Sequence, residues 1–587
     1  MLVPWAGAST ADVATAAVAP VGPSQSVTPR GITCNTAPAA EIGACVSRML
    51  TDPNGAYSKD HVYTDAEKEP VRAGPKAAGL IPGTGGAWSV VADCTVDNLK
   101  VNAIHASLTK TGKVLMTAGS GYNESLFEQK VFKTWLWDPA TPGTCPREIP
   151  MPTDVDLWCS GHSHLSDGRV LFFGGTGRYG TKDVTYTGIR ETYAFDDVTE
   201  TFTFTGLMNV ARWYPSGPVD ATGNPVVVSG LDDTGKVASV NETYNSSTGQ
   251  WRTLPGTRIF PLYAGLVLRK NGTICYSGAN MGGRAGASPG CWTPTTNAWT
   301  PLPGLQFPDC RDQASTLLLY PAQAQKVMLI GGGCGTGVTG TTATVDLNAA
   351  APKFTPGPYL ASAAMDNCAA VLPDRSTFVS GGADHNTKPR LQAARLPYGS
   401  TEWEQLASPS VPRMYHSTCL QLPDGSVLTL GTNAPDGYVE SRFEIYRPWY
   451  IQKGITRPTF TSVSPTLKLG GSHQALYAGP ASVTGASLQA LTSTTHSSDP
   501  NQRAVDVPVT ASGTWGRVNL KIDPNPAILP PGVYLLTLRD WRNIPSASKI
   551  VRIVPATTAA GVKATALGGG APSVALPCCC PCGSGCC

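Results

Sequence analysis

A short phrase recurs seven times along this chain: a polar turn, often Asp-Gly or Asn-Gly, then four or five β-forming residues, then one or two glycines. It reads GKVLMTAG ending at Gly119, GRVLFFGG at Gly175, NPVVVSG at Gly230, GTICYSG at Gly278, KVMLIGG at Gly332, STFVSGG at Gly382 and GSVLTLG at Gly431, with spacings of 56, 55, 48, 54, 50 and 49 residues. A period of about 50 with a glycine pair after a strand matches the kelch unit, in which each repeat is one four-stranded blade of a β-propeller. Seven units predict seven blades over residues 84–450. The recurrent strand is expected to be the innermost of its blade, with glycine where the blades crowd the axis.

The rest of the chain divides around that region. The segment YRPWYIQKGITRP reads as a linker, and residues 457–554 carry short strands (TFTSVSP, SVTGASLQALTS, AVDVPVTA, GRVNLKID, GVYLLTLRD, SKIVRIVP) spaced as in an immunoglobulin-like β-sandwich. Residues 1–83 read as a loosely ordered extension with a helix-like stretch at 41–50 and two cysteines, Cys34 and Cys45, close enough in sequence for a staple. Residues 555–587 end in CCCPCGSGCC and read as a flexible Cys-rich tail that cannot build a core. The expected fold class is all-β.

Composition narrows the function. Charged residues make up 14% of the chain and the net charge is +3, with no basic run, so nucleic acid is not an expected partner. No apolar run of about 18 residues is present, so no membrane span is expected. Eleven cysteines dispersed between Cys34 and Cys419, with four sequons at Asn123, Asn241, Asn245 and Asn271, favour an exported, disulfide-bonded glycoprotein. Residues 1–20 are apolar but lack the charged start of a clear signal peptide.

Most kelch propellers bind rather than catalyse, so side chains near the axis decide. Four segments stand before blade strands or on loops: DLWCSGHSH with Cys159, MNVARWYPSG with Tyr214, PRMYHSTCL with Tyr415 and His416, and LTSTTHSSDPNQR with His496. These segments resemble, in order and surroundings, the active-site signatures of the copper radical oxidases, the family of galactose oxidase and glyoxal oxidase. The resemblance implies one copper ion held by Tyr214, Tyr415, His416 and His496. It also implies a thioether between Cys159 and Tyr214 that forms a protein-derived Cys-Tyr radical cofactor, with Tyr415 as the axial base. Two imidazoles and two phenolates suit Cu(II) in a square-based geometry with one open position.

Trp158, Trp213 and Arg212, next to these residues, are expected to tune the radical by stacking or cation–π contact. His162 and His164 are expected to support the site rather than bind metal. Galactose oxidase carries a stacking Trp on the blade turn after its cross-linked tyrosine, and this chain has SGLDDTG there, Ser229–Gly235. The resemblance is therefore closer to glyoxal oxidase. Its implied partners are a small aldehyde or primary alcohol and O2, with hydrogen peroxide as product, acting as a secreted monomer in a setting that includes cell-wall or extracellular carbohydrate. The competing reading is a non-catalytic carbohydrate- or wall-binding propeller. A propeller glycoside hydrolase would need paired carboxylates at the axis, which the inter-blade segments lack.

Overall fold

The structure is a computed structural model and describes residues 44–45 and 85–556, apart from 96–99, 153, 182, 335–336, 385–387 and 434–438. The Cys34 end of the expected staple, most of the 41–50 stretch and the cysteine tail lie outside the described residues; Cys45 is disulfide-bonded. Seven four-stranded antiparallel blades follow one another along the chain. The first comprises His105–Leu108, Val114–Gly119, Lys133–Trp137 and Arg147–Glu148. The second and third share one 16-residue strand, Thr201–Ser216, whose first part pairs with Thr187–Asp196 and whose last part pairs with Val226–Leu231. The seventh mixes the two ends of the propeller: Ala87–Asp93 pairs with Arg442–Arg447, Trp88 opposite Tyr446. That pairing closes the ring.

One expectation is corrected here. The recurrent phrase forms the second strand of each blade, and the innermost strand is the segment before its turn, such as His105–Leu108, Gly161–His164 or Thr418–Gln421. The polar turn makes a hairpin that folds the recurrent strand outward from the one before it. Composition explains why the second strand carries the stronger signal: Val114–Gly119 and Val170–Phe173 are buried and almost wholly apolar, whereas the inner strands His105–Leu108 and Gly161–His164, though nearly as buried, mix histidine and serine with apolar residues.

The glycines that end each phrase have a related purpose. At Gly119 (φ 59°) an added Cβ would come within 2.1 Å of the Asp156 carboxylate and 2.4 Å of the Trp158 nitrogen, and at Gly431 (φ 71°) within 2.5 Å of the His416 carbonyl. Only glycine lets the entry loop of a blade approach this closely. Asp156 ties that loop to the first blade by accepting from the Ser120 and Trp158 backbone N–H groups, both at 2.9 Å, and from the Ser120 hydroxyl.

Beyond the propeller, Thr459–Val463, Ser472–Ala478, Val509–Ala511 and Arg517–Lys521 form one sheet of a sandwich. The other sheet contains Val483–Ala490, Ala504–Val507, Gly532–Asp540 and Lys549–Val554. Leu488, Val505, Val518, Leu520, Leu536 and Ile553 fill the space between the sheets. One sandwich loop leaves this body: Ser493–Thr494 pairs with Ala106 and Ser107 on the inner strand of the first blade. Among the four sequons, Asn123, Asn245 and Asn271 are exposed. Asn241 is buried and donates to the Arg258 carbonyl at 3.1 Å, which corrects its expected role as a glycan acceptor.

Two outcomes follow. Gly431→Ala should destabilise the fold by about 2 kcal/mol or more, since left-handed strain and backbone overlap add, as read from chemical denaturation. Burial raises the pKa of Asp156 to about 6, so between about pH 4 and 6 the folded state holds a proton that the unfolded chain has released. Its neutral carboxyl therefore contributes stability in acid that is lost as pH rises through 6. Asp156→Asn should remove that slope, and the stability difference, variant minus wild type, should grow by on the order of 2–3 kcal/mol from pH 3.5 to pH 7.

Candidate metal and radical site

At the head of six inner strands one non-glycine residue takes a left-handed backbone: Cys159, Tyr214, Tyr263, Gln313, Asp366 and His416, with φ between 41° and 65°. Backbone bonds link neighbours in this series: Tyr214 N–H donates to Cys159 O at 2.9 Å, Tyr263 N–H to Tyr214 O at 3.1 Å, and Asp366 N–H to Gln313 O at 3.1 Å. His496, on the inserted sandwich loop, is also left-handed, at φ 48°. Such conformations cost free energy in ordinary residues and persist where the surroundings fix them.

The structure brings the five expected residues together at the axis, all of them buried. The hydroxyls of Tyr214 and Tyr415 are 2.8 Å apart. The rings of His416 and His496 meet edge to face with centroids 4.5 Å apart, and His496 lies 4.9 Å from Tyr214 and 5.4 Å from Tyr415. The left-handed turn lets adjacent Tyr415 and His416 stack at 3.8 Å and face one centre, where a regular strand would send them to opposite faces.

Each imidazole is oriented through Nδ1. His416 Nδ1 faces the Asn433 backbone and side-chain oxygens at 3.2 and 3.1 Å, and His496 Nδ1 faces the Thr495 hydroxyl at 2.7 Å. The Nε2 atoms of both are buried without a hydrogen-bond partner. Burial holds His416 at about 3 and His496 well below the usual imidazole range, so both rings are neutral with lone pairs directed into the site. An orienting contact on one nitrogen and a bare lone pair on the other is the arrangement of a metal-bound histidine. Among the described residues no three His, Cys, Asp or Glu side chains form a metal-sized cluster, and the side chains that meet here are two imidazoles and two phenols.

Cys159 is the only free cysteine among the described residues. Cys94–Cys145, Cys275–Cys291, Cys310–Cys334 and Cys368–Cys419 are disulfides. Its thiol lies within hydrogen-bonding reach of the Tyr214 phenol, and burial pushes its pKa up. Burial, with Cys159 and Tyr415 nearby, likewise holds the Tyr214 phenol protonated in the absence of a metal.

The supporting residues divide. Trp213 stacks on Tyr214 at 3.7 Å and 6°, and Trp158 stacks on Tyr179 at 4.9 Å and meets Trp213 edge-on at 6.2 Å. Arg212 is corrected: its terminal nitrogens donate to Ser229 O, Val240 O and the buried Glu242 carboxylate, the last at 2.9 Å. Arg311 and Arg413 take corresponding positions and donate to carbonyls of their own blades. The arginine is thus a repeated blade clamp rather than a partner of the ring. His162 and His164 bond to Ser493 and to the Leu108 carbonyl respectively.

Two site residues escaped the sequence reading. Tyr263 stacks on both Tyr214 (4.6 Å) and His496 (4.5 Å) and donates to Ser160 O at 2.7 Å. His105 accepts the Cys159 N–H at 3.1 Å. Tyr263 stands at the blade-entry position homologous to Tyr214, so the repeat register was the signal that could have found it.

The galactose oxidase-like Early set domain family matches residues 457–553. Galactose oxidase of Gibberella zeae is 24% identical over 493 residues, spanning 78% of this chain and 70% of that protein. Aldehyde oxidase GLOX1 of Arabidopsis thaliana is 27% identical over 246 residues, spanning 36% of this chain and 39% of that protein. A solved structure described as a novel fungal alcohol oxidase of the AA5 family, in complex with copper, superposes with a TM-score of 0.67 at 19% identity, covering 80% of this chain and 99% of that one. Taken with a propeller whose axis gathers two tyrosines, two histidines and, alone among the described cysteines, a free thiol, these likenesses support a relationship to the copper radical oxidase family.

Proposed function

We propose that this protein is a secreted, copper-dependent oxidase that converts small aldehydes to carboxylic acids, or primary alcohols to aldehydes, with O2 as oxidant and hydrogen peroxide as product. The observation that carries the reading is the convergence of Tyr214, Tyr415, His416 and His496 on one buried centre, with the only free thiol among the described residues beside one of the two phenols. A binding propeller has no need of two desolvated, unpartnered imidazole nitrogens there, since each costs free energy until a ligand takes it. In this reading residues 84–450 and 457–554 are two domains, the second supplying His496, and the protein acts as a monomer among extracellular carbohydrate.

The residues fit a copper ion: Nε2 of His416 and His496 and the hydroxyl oxygens of Tyr214 and Tyr415 would hold it. When bound, copper together with the oxidised Cys159–Tyr214 pair supplies two one-electron acceptors and an open position for a substrate oxygen. The chain's own residues do the rest. The Tyr415 oxygen, 2.8 Å from that of Tyr214, takes the substrate hydroxyl proton. Trp213, adjacent in the same strand, and Tyr263, at the entry of the next blade, stack against Tyr214, spreading and shielding unpaired density from water. The two aromatic neighbours come from positions other than 229–235, in keeping with small aldehydes as substrates and with galactose disfavoured.

Two variants separate the roles. His496→Ala should lose bound copper and all peroxide production, while the propeller melts as in wild type because His496 arrives from the sandwich. Full copper retention would remove His496 from the ligand set. Tyr415→Phe should keep copper and lose on the order of 10²-fold or more in peroxide production over a panel of aldehydes and alcohols. A near-normal rate would remove the base role.

A further inference from the structure

Cys159 can join Tyr214 only if its sulfur is presented to one edge of the ring, and its left-handed backbone (φ 61°) must be held there by its surroundings. One side of the residue is held by Tyr214 itself, whose N–H donates to the Cys159 carbonyl at 2.9 Å. On the other side the Cys159 N–H, in a fully buried place, donates to Nε2 of His105 at 3.1 Å. His105 belongs to the inner strand of the first blade, so this bond crosses between blades. The ring can accept only when neutral, and burial, with His162 and His416 nearby, keeps it so. Its position is set by His162, which meets it edge to face at 5.2 Å and 88°, and His162 is bonded to Ser493, itself 2.6 Å from Ser107. Neither copper binding nor the proton transfer to Tyr415 uses His105.

We propose that His105 is a positioning residue for cofactor maturation: by fixing the Cys159 peptide it aims the sulfur at Tyr214 and sets how fast the thioether forms. This rests on reading the site as a cross-linked copper centre. In the step, the S–H bond of Cys159 and a C–H bond ortho to the Tyr214 hydroxyl break and one S–C bond forms. Two protons and two electrons pass to dioxygen, which leaves as hydrogen peroxide, and the protein becomes two hydrogens lighter. The rate of such an intramolecular step depends steeply on approach geometry, with misplacements of about 1 Å costing up to about 10²-fold.

The test uses full-length protein prepared copper-free, then given Cu(II) and air, with intact mass and mobility on denaturing gels followed over time. His105→Gln carries a side-chain carbonyl that reaches the place of Nε2, His105→Asn falls one methylene short, and His105→Met has no comparable acceptor. The Gln variant should cross-link within about threefold of wild type, and the Asn and Met variants at least about tenfold more slowly, all with wild-type copper content. Should the Met variant not fold, the contrast between Asn and Gln decides. Equal rates in all four proteins, or a Gln variant as slow as Asn, would overturn the role of His105. A wild-type protein that never loses two hydrogens would instead bring down the reading of the site, and this role with it.

Discussion

Six residues, Cys159, Tyr214, Tyr263, Gln313, Asp366 and His416, leave the extended region at the head of an inner strand, and the chemistry of the axis depends on that departure. A propeller strand alternates its side chains between two blade interfaces, and neither direction points along the axis. A left-handed residue breaks the alternation and swings one side chain into the central space. The backbone bonds from Tyr214 to Cys159 and from Tyr263 to Tyr214 then stitch one turn to the next, so the conformation that each residue would resist alone is held by its neighbours. The glycines ending the recurrent phrase are the counterpart, because without side chains they let these turns sit directly against the end of the recurrent strand.

The desolvated interior that results sets the protonation states. The imidazoles are neutral, the Tyr214 phenol and the Cys159 thiol keep their protons, and the Nε2 atoms of His416 and His496 are buried without hydrogen-bond partners. Such an arrangement is unfavourable in an empty site and favourable around a cation, which is how burial makes affinity for a metal. Among the described residues, four disulfides in the surrounding blades stand apart by position from the one free thiol at the axis.

The architecture was legible because the hairpin turn and the fully buried second strand impose a strong, regular pattern, which Gly175 and Gly332 mark plainly. The assignment of that strand to the axis was wrong because the repeat reports apolar composition, and the most apolar strand is the second of its blade while the innermost, equally buried, carries polar residues. Cys159, Tyr214, Tyr415, His416 and His496 could be read through their local signatures. Tyr263 and His105 carry none: one is a tyrosine in the turn before an inner strand and the other a histidine at the start of one, and only the register between blades gives each its neighbour. Arg212 misled for the converse reason, since sequence adjacency to a site residue says nothing about which face a long side chain follows.

The closing pair of strands, Ala87–Asp93 with Arg442–Arg447, and the late arrival of His496 together impose an order of events on synthesis. A chain emerging from its N-terminus holds its first strand unpaired through the making of six blades, and the ring can shut only when residues near 447 appear. His496 comes some 50 residues later, in the first half of the sandwich. A partly made chain therefore carries Cys159 and Tyr214 long before His496 exists, and the five axial side chains can meet only once the sandwich loop has been made.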